Sequence, residues 1–304
     1  IAANSRLPDF VRGELSAQRA AGRRGARALQ AMFDRYAAPV VLDAIAQGYA
    51  EGAIRAKSGM ARLPKGRFSM AAPQDDGTIW PVTIEITDDH FTIDLTQMPD
   101  AVDAPHNTSR DGAVVVGQML FKSLTDPARF ANAGSFAPLR VVTRPGSIFD
   151  GGPVAPHGYY FETRIRLFDL LWRVMAEALP GRLPSGHFAT IFGTVIAGLH
   201  PDTGRPYTLV EPQMGGWGAT QDRMGTGPLF SSSHGDTFNC PIESAEARYG
   251  LEVAEKSLLF PSKTKGDWVG GPGVLTRYRL RGPARLSAGL SHSVEHVWSL
   301  SGAT

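Results

Sequence analysis

A single cysteine, Cys240, stands in 304 residues, so no internal disulfide can form and a reducing compartment, the cytoplasm, is the expectation. Charge of one sign is not in excess. The 31 basic and 29 acidic side chains leave a formal +2, which argues against the broad cationic face that nucleic acid or an anionic membrane would require. No apolar run approaches the ~20 residues that a membrane-crossing helix needs. A charged, then apolar, then small-residue leader is missing, and Arg23-Arg24 lacks the apolar segment of a twin-arginine signal. Internal repeats and low-complexity linkers are missing too. The opening IAANSRLPDF carries no initiator methionine and reads as the interior of a longer or processed chain.

What is present is ordinary globular material, 42% hydrophobic and 20% charged, enough for one large domain or two of common size. From Gly13 to about Met60 the pattern is helical. Leu29, Met32, Phe33 and Tyr36 recur at spacings of three and four and share a face, with Arg23, Arg24, Arg27 and Arg35 around it as a solvated surface. Pro39 is expected to begin a second helix in which Val41, Ile45 and Tyr49 share a face. From Gly66 to Thr96 the period becomes two, and VTIEITDDHFTIDLT folds back at Asp88-Asp89 as a β-hairpin. Helices are expected from Thr108 to Leu124 and from Phe161 to Leu179, the latter burying Leu167, Leu170, Leu171 and Val174 and stopping at Pro180-Gly181. A short strand flanked by loops lies between them. After Leu183 the chain is Gly-rich and strand-rich, with strands expected at Tyr207–Val210, Leu251–Phe260, Val274–Arg281 and Ala284–Ser291. The fold class is therefore α+β: N-terminal helices over residues 1–65, then a mixed, largely antiparallel β-rich core with Gly-rich loops over residues 66–304.

Four patterns bear on chemistry. Cys240 follows His234 and Asp236 closely, the residue types of a thiolate centre. Nucleophile and base normally meet only in the fold, and a lone cysteine before Pro241 reads better as a small buried residue. His292-Ser-Val-Glu295-His296 matches the H-x-x-E-H form of a zinc peptidase helix. Its Ser- and Gly-rich surroundings have no helical period, and on a strand the two histidines would stand ~13 Å apart, so the match reads as accidental. The loops Gly151-Gly152, Gly215-Gly216-Trp217-Gly218 and Gly270-Gly271-Pro272-Gly273 lack the lysine and hydroxyl of a phosphate loop. They call either for turns with positive φ or for close backbone approach to a ligand or partner. Asparagines at Asn107, Asn132 and Asn239 suit turn capping.

Several stretches occur in an order that resembles the B-type subunits of the hydantoinase/5-oxoprolinase family, which includes the related subunits of acetone and acetophenone carboxylases. They are AANSRLPDFVRGELSAQ, FTIDLTQMPDAVDAPHN, NAGSFAPLRVVTRPGSIFDGGPVA, EALPGRLPS, GGWGA, HGDTFNCPIESAEARYGLEV and KGDWVGGPGVLTRYRL. The resemblance implies a two-part machine. A hydantoinase A-like ATPase subunit, using ATP and Mg, phosphorylates a cyclic amide, or activates ketone and bicarbonate in the carboxylases. The B-type subunit then completes the reaction within a hetero-oligomer. Family members carry an upstream Asp/His segment for a divalent metal, zinc or manganese. That segment has no counterpart here, so the chain reads as the C-terminal portion of the pattern with its metal ligands elsewhere. It departs from the family at SKTKGDWVGGPG and at HSVEHVWSLSGAT. A non-catalytic scaffold is the reading from another class. Within the matched loops, His106, Asn107, Asn132, His157, His234 and Asn239 are the polar residues expected near chemistry, with His157 and His234 as acid or base near neutral pH.

Overall fold

The computed structural model describes residues 3, 5, 8–234, 237–261 and 268–300. It is α+β, as its residue patterns require, and the chain packs as two compact units, residues 1–55 with 130–137, and residues 56–129 with 138–304.

The first unit contains α1 (Pro8–Tyr36) and most of α2 (Ala38–Met60). Ala37, at φ +65°, breaks the helical path between them, and α2 begins at Ala38, one residue before the expected Pro39 start. The apolar face of α1 exists but is uncovered, with Leu29, Met32 and Tyr36 at 43%, 48% and 49% exposure. Residues Ala133–Phe136 form a 3-10 turn packed on α2. Gly134 allows this approach, since a Cβ there would lie 1.9 Å from the Tyr49 carbonyl oxygen.

The second unit is built on a sheet in the order β1 (Gly66–Pro73), β2 (Ile79–Ile86), β3 (Phe91–Asp94) and β4 (Leu139–Val142). The first three strands run antiparallel, with Phe68 opposite Ile84 and Ile84 opposite Ile93, while β3 and β4 pair in parallel. Alternation places Val82, Ile84, Ile86, Phe91 and Ile93 on one covered face, each no more than 2% exposed. That face is covered by α3 (Arg110–Thr125) and α4 (Tyr160–Ala178). Gly117 brings α3 close to the strands, since a Cβ there would meet the Val141 side chain at 2.6 Å. Phe91 meets Phe121 edge to face at 5.3 Å. Leu167, Leu170, Leu171 and Val174 of α4 are buried as their spacing required.

A second sheet has the order β6 (Pro206–Pro212), β5 (Gly193–Leu199), β9 (Ala284–Gly289), all antiparallel. A third pairs β7 (Leu251–Leu259) with β8 (Gly273–Leu280). Between them Ile196, Tyr207, Leu209 and Leu251 form a small core with Ala245 of α5 (Ile242–Arg248). Neither β5 nor α5 stood out in the sequence. Among the described residues no helix is long and apolar enough to cross a membrane.

Two glycine-rich loops interleave with residues 225–227. Gly216, Gly225 and Gly271 have no positive φ. Their backbones instead lie so close that an added Cβ would fall 2.1 Å from Gly271 O, 1.9 Å from Trp217 O and 1.9 Å from Thr226 O respectively. The close approach is made by the chain to itself.

Phe91 is fully buried and contacts both sheet and helix layers, so Phe91→Ala is expected to cost about 3–5 kcal/mol. A fall of that size in the urea unfolding free energy, with the slope unchanged, checks it.

Candidate active site

The loop Ala101–Ser109 and the segment Gly151–Tyr159 meet at the N-terminal end of α4, and Asn107 joins them. Its side chain is fully buried. Oδ1 accepts from Val102 N at 2.8 Å, and Nδ2 donates to Val102 O, Ala104 O and Pro156 O at 2.7, 2.9 and 3.0 Å. The oxygen and the amino group of the amide are both engaged within the protein, so Asn107 braces the two segments. Tyr159 N donates to Pro105 O at 2.7 Å, and Thr163 Oγ1 donates to His106 O, which docks the loop on the first turns of α4.

The exposed His106 ring stands edge-on to Tyr159 at 5.9 Å. It lines a cavity of about 420 Å³ together with Trp80, Tyr159, Glu162, Arg166 and Ser291. Burial raises the Tyr159 phenol above its ordinary pKa, and the Glu162 carboxylate adds to this. Glu162 is buried at 6% exposure. Its Oε2 accepts from Ile191 N at 2.8 Å, and its Oε1 accepts from Ser291 Oγ.

Asp75 forms part of the wall of the same cavity. Its carboxylate accepts from the backbone N–H of Ser293, Val294 and Glu295 at 2.9, 3.1 and 2.8 Å, and from Ser293 Oγ at 2.9 Å. Burial alone would raise its pKa, but these donors outweigh burial and lower it to about 2.

Farther along α4, Asp169 is buried among Trp298 Nε1, which donates to both carboxylate oxygens at 3.1 Å, and His187 Nδ1 at 3.3 Å. Burial opposes its charge. The His187 hydrogen bond, then the charges of His187, Arg166 and His292, outweigh that and hold the pKa below the usual carboxylate range. Arg166 donates to His292 Nε2 and, at 3.2 Å, to Gln74 Oε1. Because arginine can only donate, His292 Nε2 is the acceptor, and its Nδ1–H donates to Glu295 O at 2.6 Å. Burial, then the Arg166 charge, lowers the His292 pKa, consistent with a neutral ring. His292 has φ +62° and residues 291–299 contain no helical turn, so H-x-x-E-H does not present its histidines as a zinc helix would.

On the other side of α4, His157 faces a cleft of about 440 Å³ with Ser109, Asp111, Tyr160 and Arg164. His234 lies in a further, largely apolar cleft of about 420 Å³ with Trp217, Leu229, Phe230 and Phe238. Its Nδ1 is 2.7 Å from Ser231 Oγ, itself buried. Burial lowers the His234 pKa. Glu162 raises it and Arg164 lowers it further, so the net direction is down and the ring is neutral at neutral pH. His234 thus lies within electrostatic reach of the first turns of α4, toward which His106 and His157 also converge.

Two further expected residues have structural work. Asn239 Nδ2 donates to Pro212 O at 3.0 Å, while its buried Oδ1 has no partner. Asn132, in the first unit, caps the 3-10 turn through Ser135 N and donates to Gly48 O at 2.8 Å. Cys240 is half-buried, packs on the small core around Leu209, and donates its N–H to Glu211 at 3.0 Å. The nitrogen of His234 nearest a hydroxyl serves Ser231 instead, and Asp236 lies outside the described residues. So does residue range 262–267, where the sequence departs from the family pattern.

The sequence reading missed Glu162, Arg166 and Asp169. Their spacing of four and three places them on one stripe of α4. A polar stripe on an otherwise buried helix was the signal available. Among the described residues, no three His, Cys, Asp or Glu side chains converge as metal ligands would. The described residues thus form no set that fits a divalent metal.

Comparison with known proteins fixes the class. The chain belongs to the hydantoinase B/oxoprolinase family, matched over residues 1–304. It is 24% identical over 292 residues to a protein of Pseudomonas sp. (strain NS671) named as the B component of a D-/L-hydantoinase, covering 90% of this chain and 48% of that one. An uncharacterized protein of Methanocaldococcus jannaschii is 24% identical over 290 residues, covering 94% and 50%. The chain thus spans about half the length of these relatives. In fold it resembles the ATP-dependent caprolactamase of Pseudomonas jessenii, with TM-score 0.75, 22% identity, and 89% and 48% coverage. It also resembles an acetone carboxylase in a nucleotide-free structure, with TM-score 0.71, 13% identity, and 83% and 37% coverage.

Replacing Asn107 by Ala would leave backbone groups at Val102, Ala104 and Pro156 without these partners. A loss of about 1–3 kcal/mol is expected from the lost bonds, read as a lower denaturant midpoint. The Asp75 contribution has a definite sign. Its folded pKa of about 2 lies below the unfolded ~3.9, so the stabilisation is complete above about pH 4 and is lost as pH falls toward 2. Asp75→Asn should therefore melt below the wild type at pH 6, with the gap closing between pH 4 and 2. A gap independent of pH would refute that assignment.

Proposed function

We propose that this chain is part of the B-type subunit of an ATP-dependent cyclic amide hydrolase, acting on a hydantoin or lactam ring. The observation that carries this reading is the family match along the whole chain. The fold likeness to the caprolactamase supports it. A hydantoinase A-like partner subunit would transfer the phosphoryl group of ATP to the amide oxygen, in a cytoplasmic hetero-oligomer. Phosphorylation makes an unreactive amide labile, at about tenfold in rate per 1.4 kcal/mol of barrier removed. Enclosure between subunits keeps bulk water from the intermediate. The divalent metal of the full family subunit would be held by residues outside this chain.

In this reading His234 is the general base. Its lowered pKa keeps the ring unprotonated at neutral pH. With Nδ1–H donating to Ser231 Oγ, the lone pair of Nε2 is free to take a proton from attacking water. Net, two waters are consumed: the first adds to the ring carbon and the C–N bond breaks, the amine leaving with the proton that His234 took, and the second hydrolyses the resulting acyl phosphate to carboxylate and phosphate. The apolar wall of Trp217, Leu229 and Phe230 limits competing water. A second reading, a component of an ATP-dependent ketone carboxylase, is favoured by the likeness to acetone carboxylase.

Product analysis on the complex of this chain with its ATPase partner separates the two. Ring-opened product formed with ATP and without bicarbonate supports the hydrolase, whereas carboxylated ketone formed only with bicarbonate sinks it. His234→Gln is expected to lower turnover by about 10²–10⁴. The wild-type rate should fall on the acid side only below the ordinary histidine value of ~6.5, because the base form persists above a lowered pKa. That limb should vanish in the variant, and its survival would remove His234 from the role of base.

A further inference from the structure

The cavity of about 420 Å³ along the first turns of α4 is within the size range of a small-molecule site. It shares no lining residue with the His234 cleft. Its lining includes four carboxylates, Asp75, Asp76, Asp100 and Glu162, and a single guanidinium, Arg166. Arg166 is matched from outside the cavity by Asp169, 3.8 Å away. The space is therefore negative as a whole.

These carboxylates are not equally open. Both oxygens of the buried Glu162 accept within the protein, and Asp75 is taken up by the N–H groups of residues 293–295. Asp76 and Asp100 are exposed and form the rim. Each uses only Oδ1. Asp76 Oδ1 accepts from Thr78 N at 2.9 Å and Thr78 Oγ1 at 2.7 Å, and Asp100 Oδ1 accepts from Arg144 Nη2 at 2.7 Å. Among the described residues neither Oδ2 has a hydrogen bond. The backbone beneath is ordered. Gln74 N donates to Thr78 O at 2.9 Å across the β1–β2 turn, and Asp100 bridges to Ser147. A cation arriving at this rim meets open oxygens and displaces no internal bond.

The walls are apolar. Val102 and Leu290 line the cavity at 44% and 46% exposure, so a ligand there would take apolar surface out of water. Ile148 and Trp80 lie deeper, each 6% exposed, and Phe149 holds the Trp80 ring edge-on at 5.1 Å. The Trp80 Nε1–H has no acceptor among the described residues and is not sealed from solvent. An oxygen on the ligand would complete that bond, and a tryptophan ring also suits a nearby cation. We infer that this cavity binds a small organic cation, a protonated amine on a flat apolar body. The ammonium sits at the rim carboxylates Asp76 and Asp100, and the body lies against Trp80, Ile148, Val102 and Leu290. Such a ligand is independent of the hydrolase reading.

The purified chain is titrated calorimetrically at pH 8 with tyramine, with its neutral isostere tyrosol and with the anion para-hydroxyphenylacetate. At that pH the amine is protonated, whereas histidine with its ordinary value of ~6.5 is not. Saturable tyramine binding is expected, about tenfold tighter than that of tyrosol, with no binding of the anion. Added salt should weaken it. Asp76→Asn and Asp100→Asn should each weaken tyramine about threefold, the size of an exposed ion pair, and leave tyrosol unchanged. Asparagine keeps the Oδ1 that Thr78 uses. Asp103→Asn removes an exposed carboxylate of the same loop outside the cavity lining, and tyramine binding should not change. Absence of saturable tyramine binding at millimolar concentration overturns the inference. So does equal binding of all three compounds, or equal weakening by Asp103→Asn. Should one rim variant unfold, as its melting curve would reveal, the other decides alone.

Discussion

The Asp169 carboxylate is the contact on which the second unit's arrangement turns. A buried charge is expensive, and the interior supplies Trp298, His187 and Arg166 around it. Those donors come from segments far apart in sequence. One ionised side chain on α4 therefore ties down the stretch after the helix, the last described stretch of the chain and a neighbouring turn of the helix itself. His187 in turn stacks against Trp217 at 4.5 Å, which carries the constraint into the glycine-rich loops. Removing a partner of such a pair leaves an uncompensated charge, and its cost, about 3–5 kcal/mol, is comparable to much of a domain's net stability.

Helix α4 has two different polar faces. Glu162, Arg166 and Asp169 form an inward stripe whose bonds are satisfied within the protein. Tyr160 and Arg164 face the opposite cleft with donors to spare. The same helix thus holds a structural network on one face and lines an open cleft on the other.

Much of this was legible in the residues. Period-two alternation gave the β2–β3 hairpin, and the leucines of α4 pointed inward as spaced. The uncovered face of α1 was placed correctly on the helix, although periodicity cannot say what covers a face. The inward stripe of α4 was harder to see, because polar residues on an amphipathic helix ordinarily mark its solvent side. Only the packing of Ile191, Ser291 and Trp298 over that side makes it interior. The β3–β4 pairing is parallel and joins strands separated by a helix, so no local turn announces it. Of the polar loop residues, Asn107 and Asn132 are braces, as their capping chemistry allowed. His106, His157 and His234 line clefts instead, and nothing in the sequence separates these two placements.

The interleaved glycine loops have a consequence for how such a protein can diversify. At Gly216, Gly225 and Gly271 the obstacle to a side chain is another stretch of main chain. A clash between side chains can be relieved by shrinking the neighbour, but a carbonyl oxygen has no smaller version. These positions have no compensating partner to mutate, so variation is channelled to the rim of the cleft, to residues such as Leu229, Phe230 and Phe238, while the weave beneath them stays as it is.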